Sequence, residues 1–178
     1  MQLIIGQKVA YPNQGVCLVE EIENRTVGEN SLCGYSLRVL GDNSTIFVPE
    51  DNTDNVGLRP LITLTQCRKL IGLLSEDFEP SLGDWKTRSK EFSEKLHSGD
   101  VFEAADVLKK LTYLSFDKKL SFREQTMLEK AKFLVVSEIS NTERKDHTHM
   151  ELEVLRLVHS ACSKHRVLEL KALSAAVH

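Results

Sequence analysis

The chain has 178 residues, with 23 Lys and Arg against 26 Asp and Glu and a formal net charge of −3, which argues against a general nucleic-acid coat. Its 41% hydrophobic and 28% charged content is that of a soluble globular protein of one domain or two small ones. No apolar run approaches the roughly 18 residues of a membrane span, and the opening Met1–Gly6 lacks the order of a signal peptide, so a cytoplasmic protein with no membrane association is expected. The first sixty residues read as short strands between turns. Lys8–Tyr11 is followed by the turn Pro12–Gly15, and Val16–Glu23 is β-prone, with Val16, Leu18 and Ile22 predicted to share a face. Cys33–Leu40 alternates, Gly41–Asn43 turns, and Ser44–Pro49 forms another strand. The segment reads as a small, bent antiparallel sheet or barrel, whose edge could accept a partner's strand.

After Asn55–Pro60 the period becomes helical. Leu70, Leu73 and Leu74 predict a helix over roughly 64–75, and 79–84 reads as a loop. Asp84 is placed to cap a helix that starts at Trp85 and runs to about His97. Asp100–Glu103 opens a third helix. Ser121 and Glu124 form a capping box for a fourth, which carries Met127, Leu128, Ala131, Leu134 and Val135 on one side and reaches about Ile139. Residues 141–146 are polar and linker-like. From about Met150 the chain is helix-prone again, with Leu152, Leu155, Val158 and Cys162 on one stripe, docking back on the helices or pairing with another copy. The expected fold class is therefore α+β, divided into a β module (1–60), a helical module (64–140) and an extra tail (141–178).

Charge is unevenly spread: residues 1–60 net −4, 61–140 balance, and 141–178 net +1. Any DNA contact therefore belongs to a local cluster beyond the first module. The only tryptophan, Trp85, begins a helix among Lys86, Arg88 and Lys90. Cations neutralise phosphate and an apolar wedge can part stacked bases. Yet Phe92 and Leu96 fall on the same helical face, so the spacing also permits Trp85 as core.

Arg25, one of four cations in an acidic module, could pair with a partner's carboxylate or be an ordinary turn arginine. Phe47 lies between Ile46 and Val48; if those two face the core, it is an exposed interface anchor, and otherwise it belongs to a second small core. His147, His149, His159, Cys162 and His165 concentrate in the tail, but positions 159, 162 and 165 drift around a helix rather than converge, so no metal is expected. No phosphate loop, nucleophile elbow or zinc-protease motif is present, so neither an enzyme nor a cofactor is expected. The scattered Cys17, Cys33, Cys67 and Cys162 read as free thiols.

Gly6-Gln7-Lys8-Val9-Ala10-Tyr11-Pro12-Asn13-Gln14-Gly15-Val16 resembles the opening of CarD/CdnL-type bacterial transcription regulators. Val48-Pro49-Glu50 and Val56–Pro60 fit that family's closing of the same module. In the second half, Asp84–Arg88, Glu94-Lys95-Leu96 with Ser98-Gly99-Asp100, and Leu120-Ser121, Glu124, Met127-Leu128 and Lys130-Ala131 fall in the family's order. The resemblance implies a Tudor-like module that binds the β subunit of bacterial RNA polymerase. It also implies a helical module beside the upstream fork of the melted promoter, with Trp85 wedged in the minor groove. Arg25 matches a polymerase-contacting position, and Arg88 and Lys90 fall in the DNA-facing patch; Lys86 and Arg123 complete the candidate DNA-binding set. Phe47 stands where a basic residue is common, so that contact is remade as an apolar one or lost. Thr87, Tyr113, Leu114 and Gln125 replace family cations, which predicts weak DNA affinity that is not sequence-specific. A protein-only polymerase adaptor is the alternative, and self-association through the tail is a further option.

Overall fold

The computed structural model describes residues 2–176 apart from Glu29 and Leu82. Met1, Glu29, Leu82, Val177 and His178 lie outside the described residues; Leu82 belongs to the expected loop and the last two to the tail. Five strands come first: β1 (Lys8–Tyr11), β2 (Gly15–Val27), β3 (Asn30–Val39), β4 (Thr45–Pro49) and β5 (Arg59–Pro60). They form one antiparallel sheet in the order β4-β3-β2-β1-β5, with β4 and β5 at the edges. Its core face gathers Val9, Cys17, Val19, Tyr35, Leu37, Val39 and Val48 with Leu3 and Leu58. Leu3 is fixed by its backbone N–H, which donates to the Tyr35 hydroxyl at 3.2 Å.

The expected face of β2 is corrected. Cys17 and Val19 point into the sheet core; of the three residues expected to share a face, Val16 is buried, but Leu18 is half-buried and Ile22 is 48% exposed. The register between β2 and β3 shifts between Val19 and Glu21. A bulge there adds a residue to one strand, so counting by twos from Val16 loses phase beyond it. Past the bulge, Glu21, Asn24, Arg25, Thr26, Ser31 and Cys33 are all exposed, so the far half of this hairpin stands clear of the sheet core.

Five helices follow: α1 (Leu64–Ser75), α2 (Trp85–His97), α3 (Val101–Asp117), α4 (Phe122–Glu143) and α5 (His147–Ala176). Four of the predicted starts are set by local chemistry. Thr63 and Gln66 form a capping box on α1, Asp84 caps α2, Asp100 caps α3, and Ser121 and Glu124 box α4. Each satisfies amides that the first helical turn leaves open. Apolar faces of all five helices share one core, which includes Leu70, Phe92, Leu108, Ala131 and Val154.

The boundary expected near 140 falls inside α4, which runs on to Glu143 before Arg144 turns left-handed at φ 55°. The tail forms α5 and docks back on the other helices, one of the two expected outcomes. Met150, Val154, Val158, Ala161 and Cys162 of α5 are buried among the other helices, while Leu152 is 66% exposed and Leu155 half-buried. The predicted stripe thus started on the wrong face: Met150 and Val154 are equally good apolar partners of Val158, and only the neighbours choose between two such stripes.

Candidate functional site

The start of α2 is held open to solvent. The Asp84 carboxylate accepts the Thr87 backbone N–H at 2.8 Å, and hydrogen bonding from the Thr87 backbone and side chain holds that carboxyl below its usual range. Trp85, the first helical residue, is 56% exposed, whereas Phe92 and Leu96 on the same face are 1% and 4% exposed. The face is therefore shared but not uniformly buried. Phe92 and Leu96 anchor the helix, and the first turn passes beyond the edge of the core.

The candidate cations around Trp85 have different surroundings. Lys86 and Arg123 are exposed and have no ion-pair partner among the described residues. Lys90 is exposed and lies 3.9 Å from Glu94 one turn on, a pair worth only about 0.3–0.5 kcal/mol. Arg88 is turned inward: its guanidinium donates to the Gly83 carbonyl and lies 3.9 Å from Glu124, with the side chain 15% exposed. It braces the Trp85 turn against the start of α4. Glu124 also accepts the Ser121 backbone N–H at 2.8 Å and the Lys118 ammonium at 3.1 Å. Burial works against its charge, but those bonds outweigh it and keep the carboxyl below its usual range. Trp85, Arg88, Ser89 and Phe92 line one small cavity with Ser121, Arg123, Glu124 and Met127, so Arg123 is brought to Trp85 from 38 positions away in sequence.

On the β module the structure joins the other two candidates. Ile46 and Val48 pack on the sheet core, which puts Phe47 on the opposite face. Its ring crosses β3 at Gly34, where an added Cβ would lie 2.6 Å from Phe47 Cζ. Beyond β3 it meets Arg25, whose guanidinium sits 4.5 Å from the ring centroid. Arg25 also donates to Glu23 through Nε at 2.9 Å and Nη2 at 2.6 Å. A cation over an aromatic face is attracted by about 0.5–1 kcal/mol at an exposed site. The sequence had no signal for this pairing, since the two positions lie on strands separated by a third.

A buried joint connects the modules. Arg59 on β5 makes a two-pronged ion pair with Glu138 of α4, at 2.6 and 2.8 Å. Glu138 also accepts the Ile62 N–H at 3.0 Å, and Arg59 Nε donates to the Gly99 carbonyl at 2.9 Å. Beside it, Phe133 of α4 lies so close to β-module backbone that a Cβ at Gly41 would come within 2.5 Å of its ring.

In the tail, His165 lies 2.6 Å from Asp77 and within an aromatic cluster of Phe78 and Tyr113. Among the described residues no group of three His, Cys, Asp or Glu is placed to hold a metal, and no helix is long and apolar enough to cross a membrane.

A small antiparallel sheet locked through a buried ion pair to a helical module, with one candidate contact surface on each, defines a two-module scaffold. Residues 3–62 match the model of the CarD-like/TRCF RID domain, and residues 69–155 match that of the CarD C-terminal domain. The chain belongs to the CarD family of transcription regulators. Putative transcription factor YdeB of Bacillus subtilis (strain 168) is 26% identical over 135 residues, covering 76% of this chain and 88% of that protein. A solution NMR structure of the 72-residue N-terminal domain of Myxococcus xanthus CarD is 37% identical, covering 33% of this chain and 79% of that one, with a TM-score of 0.29. The C-terminal match reaches residue 155 and so includes the first turns of α5.

Proposed function

We propose that this regulator bridges the β subunit of RNA polymerase and promoter DNA at the upstream edge of the transcription bubble, and that it changes the lifetime of the open complex. The observation that carries this reading is the setting of Trp85: a large ring more than half exposed, on a capped helix start, beside Lys86, Lys90 and Arg123. An apolar wedge from such a start can part a base step in the minor groove, at a cost of roughly a few kcal/mol. The few free cations give a weak contact that does not read sequence. Polymerase makes it effective by holding the helical module at an effective concentration of about millimolar near the fork.

Polymerase would be engaged by the far half of the β2–β3 hairpin and edge strand β4, where Arg25 and Phe47 offer a cation and an aromatic anchor together. Edge backbone groups of β4 are open to pairing with a partner's strand. The Arg59–Glu138 joint would then fix the reach from that surface to Trp85.

A second reading, a protein-only adaptor, draws on Arg88, which is spent inside the module rather than on phosphate. A promoter footprint with polymerase separates the two. Protection at the upstream fork that vanishes with Trp85→Ala, while Arg25→Glu abolishes recruitment, is the expected result. An unprotected fork, with normal polymerase binding, would leave the adaptor.

A further inference from the structure

One large apolar side chain is left almost wholly in water. Phe122 is 86% exposed, more than any other large hydrophobic side chain among the described residues. It is the first residue of α4, and the fold gives it no task there. Ser121 and Glu124 supply the cap. Leu120, just before the cap, is the apolar residue that is buried. The buried stripe of α4 runs through Met127 and Ala131, and Phe122 lies roughly 140° around the helix from Met127.

Its position relative to Trp85 is specific. The cavity between α2 and α4 is lined by Trp85, Arg88, Ser89 and Phe92 on one side and by Ser121, Arg123, Glu124 and Met127 on the other, and Arg88 in the first turn of α2 lies 3.9 Å from Glu124 in the first turn of α4. The first turns of the two helices therefore lie beside each other. Each start is capped, and each opens on an exposed aromatic ring: Trp85 on α2 and Phe122 on α4. Lys86 follows Trp85, and Lys119 and Arg123 flank Phe122 within three positions; all three are exposed and have no ion-pair partner among the described residues. The nearby carboxylates are already occupied, Glu124 by Lys118 and Asp84 by its cap. Flat rings among free cations suit stacked bases and phosphates of a single strand.

We infer that Phe122 is a second DNA-contacting ring, which stacks on an unpaired base on the melted side of the step occupied by Trp85. The inference rests on the promoter-DNA reading above. A second insertion into duplex would need another kink. An unpaired base presents its face without that unstacking cost.

The test uses full-length protein, polymerase holoenzyme and promoter fragments carrying 2-aminopurine at successive positions of the upstream bubble edge. Stacking quenches this probe. Phe122→Ala is expected to leave thermal stability and polymerase binding unchanged, to raise fluorescence at one or two unpaired positions, and to shorten open-complex lifetime about tenfold. Phe122→Tyr should restore both readouts. If Trp85→Ala shortens the lifetime and Phe122→Ala changes neither readout, the second ring is refuted and the bridging function stands. If wild-type protein itself leaves lifetime and footprint unchanged, the bridging reading falls and takes this one with it. Weaker polymerase binding without DNA on Phe122→Ala would make the ring a protein anchor, and a lower melting temperature would make it structural; either result overturns the inference.

Discussion

Truncating Glu138 to Ala should loosen the joint between the modules more than any surface change of similar size. Glu138 is 4% exposed and accepts three hydrogen bonds, two from Arg59 and one from the Ile62 N–H. Removing one partner of a buried pair costs about 3–5 kcal/mol, because the other charge is stranded. Arg59 keeps the Gly99 and Pro60 carbonyls and its side chain is 29% exposed, so water recovers part of the loss. The lower end, about 3 kcal/mol, is therefore expected. For a chain of this size that is a fall of roughly 6–12 °C in melting temperature. Calorimetry on wild type, Glu138→Ala, Arg59→Leu and the double variant would give the coupling, expected between about 1 and 3 kcal/mol. A melting temperature within about 2 °C of wild type, or a coupling below about 0.5 kcal/mol, would show that the pair does not hold the modules together.

Other outcomes follow from the same contacts. Gly34→Ala places a Cβ 2.6 Å from both Phe47 Cζ and the Val48 carbonyl oxygen, so urea unfolding should show a loss of about 1–3 kcal/mol from overpacking; no loss would mean the ring does not cross Gly34 in solution. Acid should destabilise the helical module, because Glu124 and Asp106 are held below their ordinary values of 4.5 and 3.8. A depressed carboxyl adds stability above its unfolded pKa, and that stability is lost as pH falls through the folded one. Melting temperature should therefore drop below about pH 4.5, less steeply in Glu124→Gln, and an unchanged slope in that variant would remove Glu124 from the account. Ellman's reagent should find one reactive thiol in native protein, the exposed Cys33. Cys17 is buried with its pKa pushed up to about 12, and burial raises Cys67 and Cys162 to about 11; two or more native thiols would contradict this packing.

Much of the candidate site was legible because it is local. Asp84 three residues before Thr87, and Ser121 three before Glu124, are capping patterns that sequence spacing alone reveals. The exposure of Trp85 was open, since a shared face with Phe92 and Leu96 says nothing about where the core ends. Phe122 was missed although a signal existed: it falls off the Met127 stripe yet follows the cap directly. Arg88 carried no signal for its inward turn, because its acceptors are the Gly83 carbonyl and a carboxylate from another helix.

The sequence by itself determined the change from a β to a helical module near residue 60 and the starts of α1 to α4, whereas the packing of Ile46 and Val48 decided the side of β4 on which Phe47 lies. Each depends on groups a few positions apart, whose geometry the backbone period dictates. The tertiary structure decided what depends on distant partners. Arg59 meets Glu138 79 positions on, Arg25 meets Phe47 across a third strand, and α5 selects Met150 and Val154 over Leu152 and Leu155 as its inner face. Local period offers more than one face that could be buried or exposed, and the packing of the whole chain chooses among them.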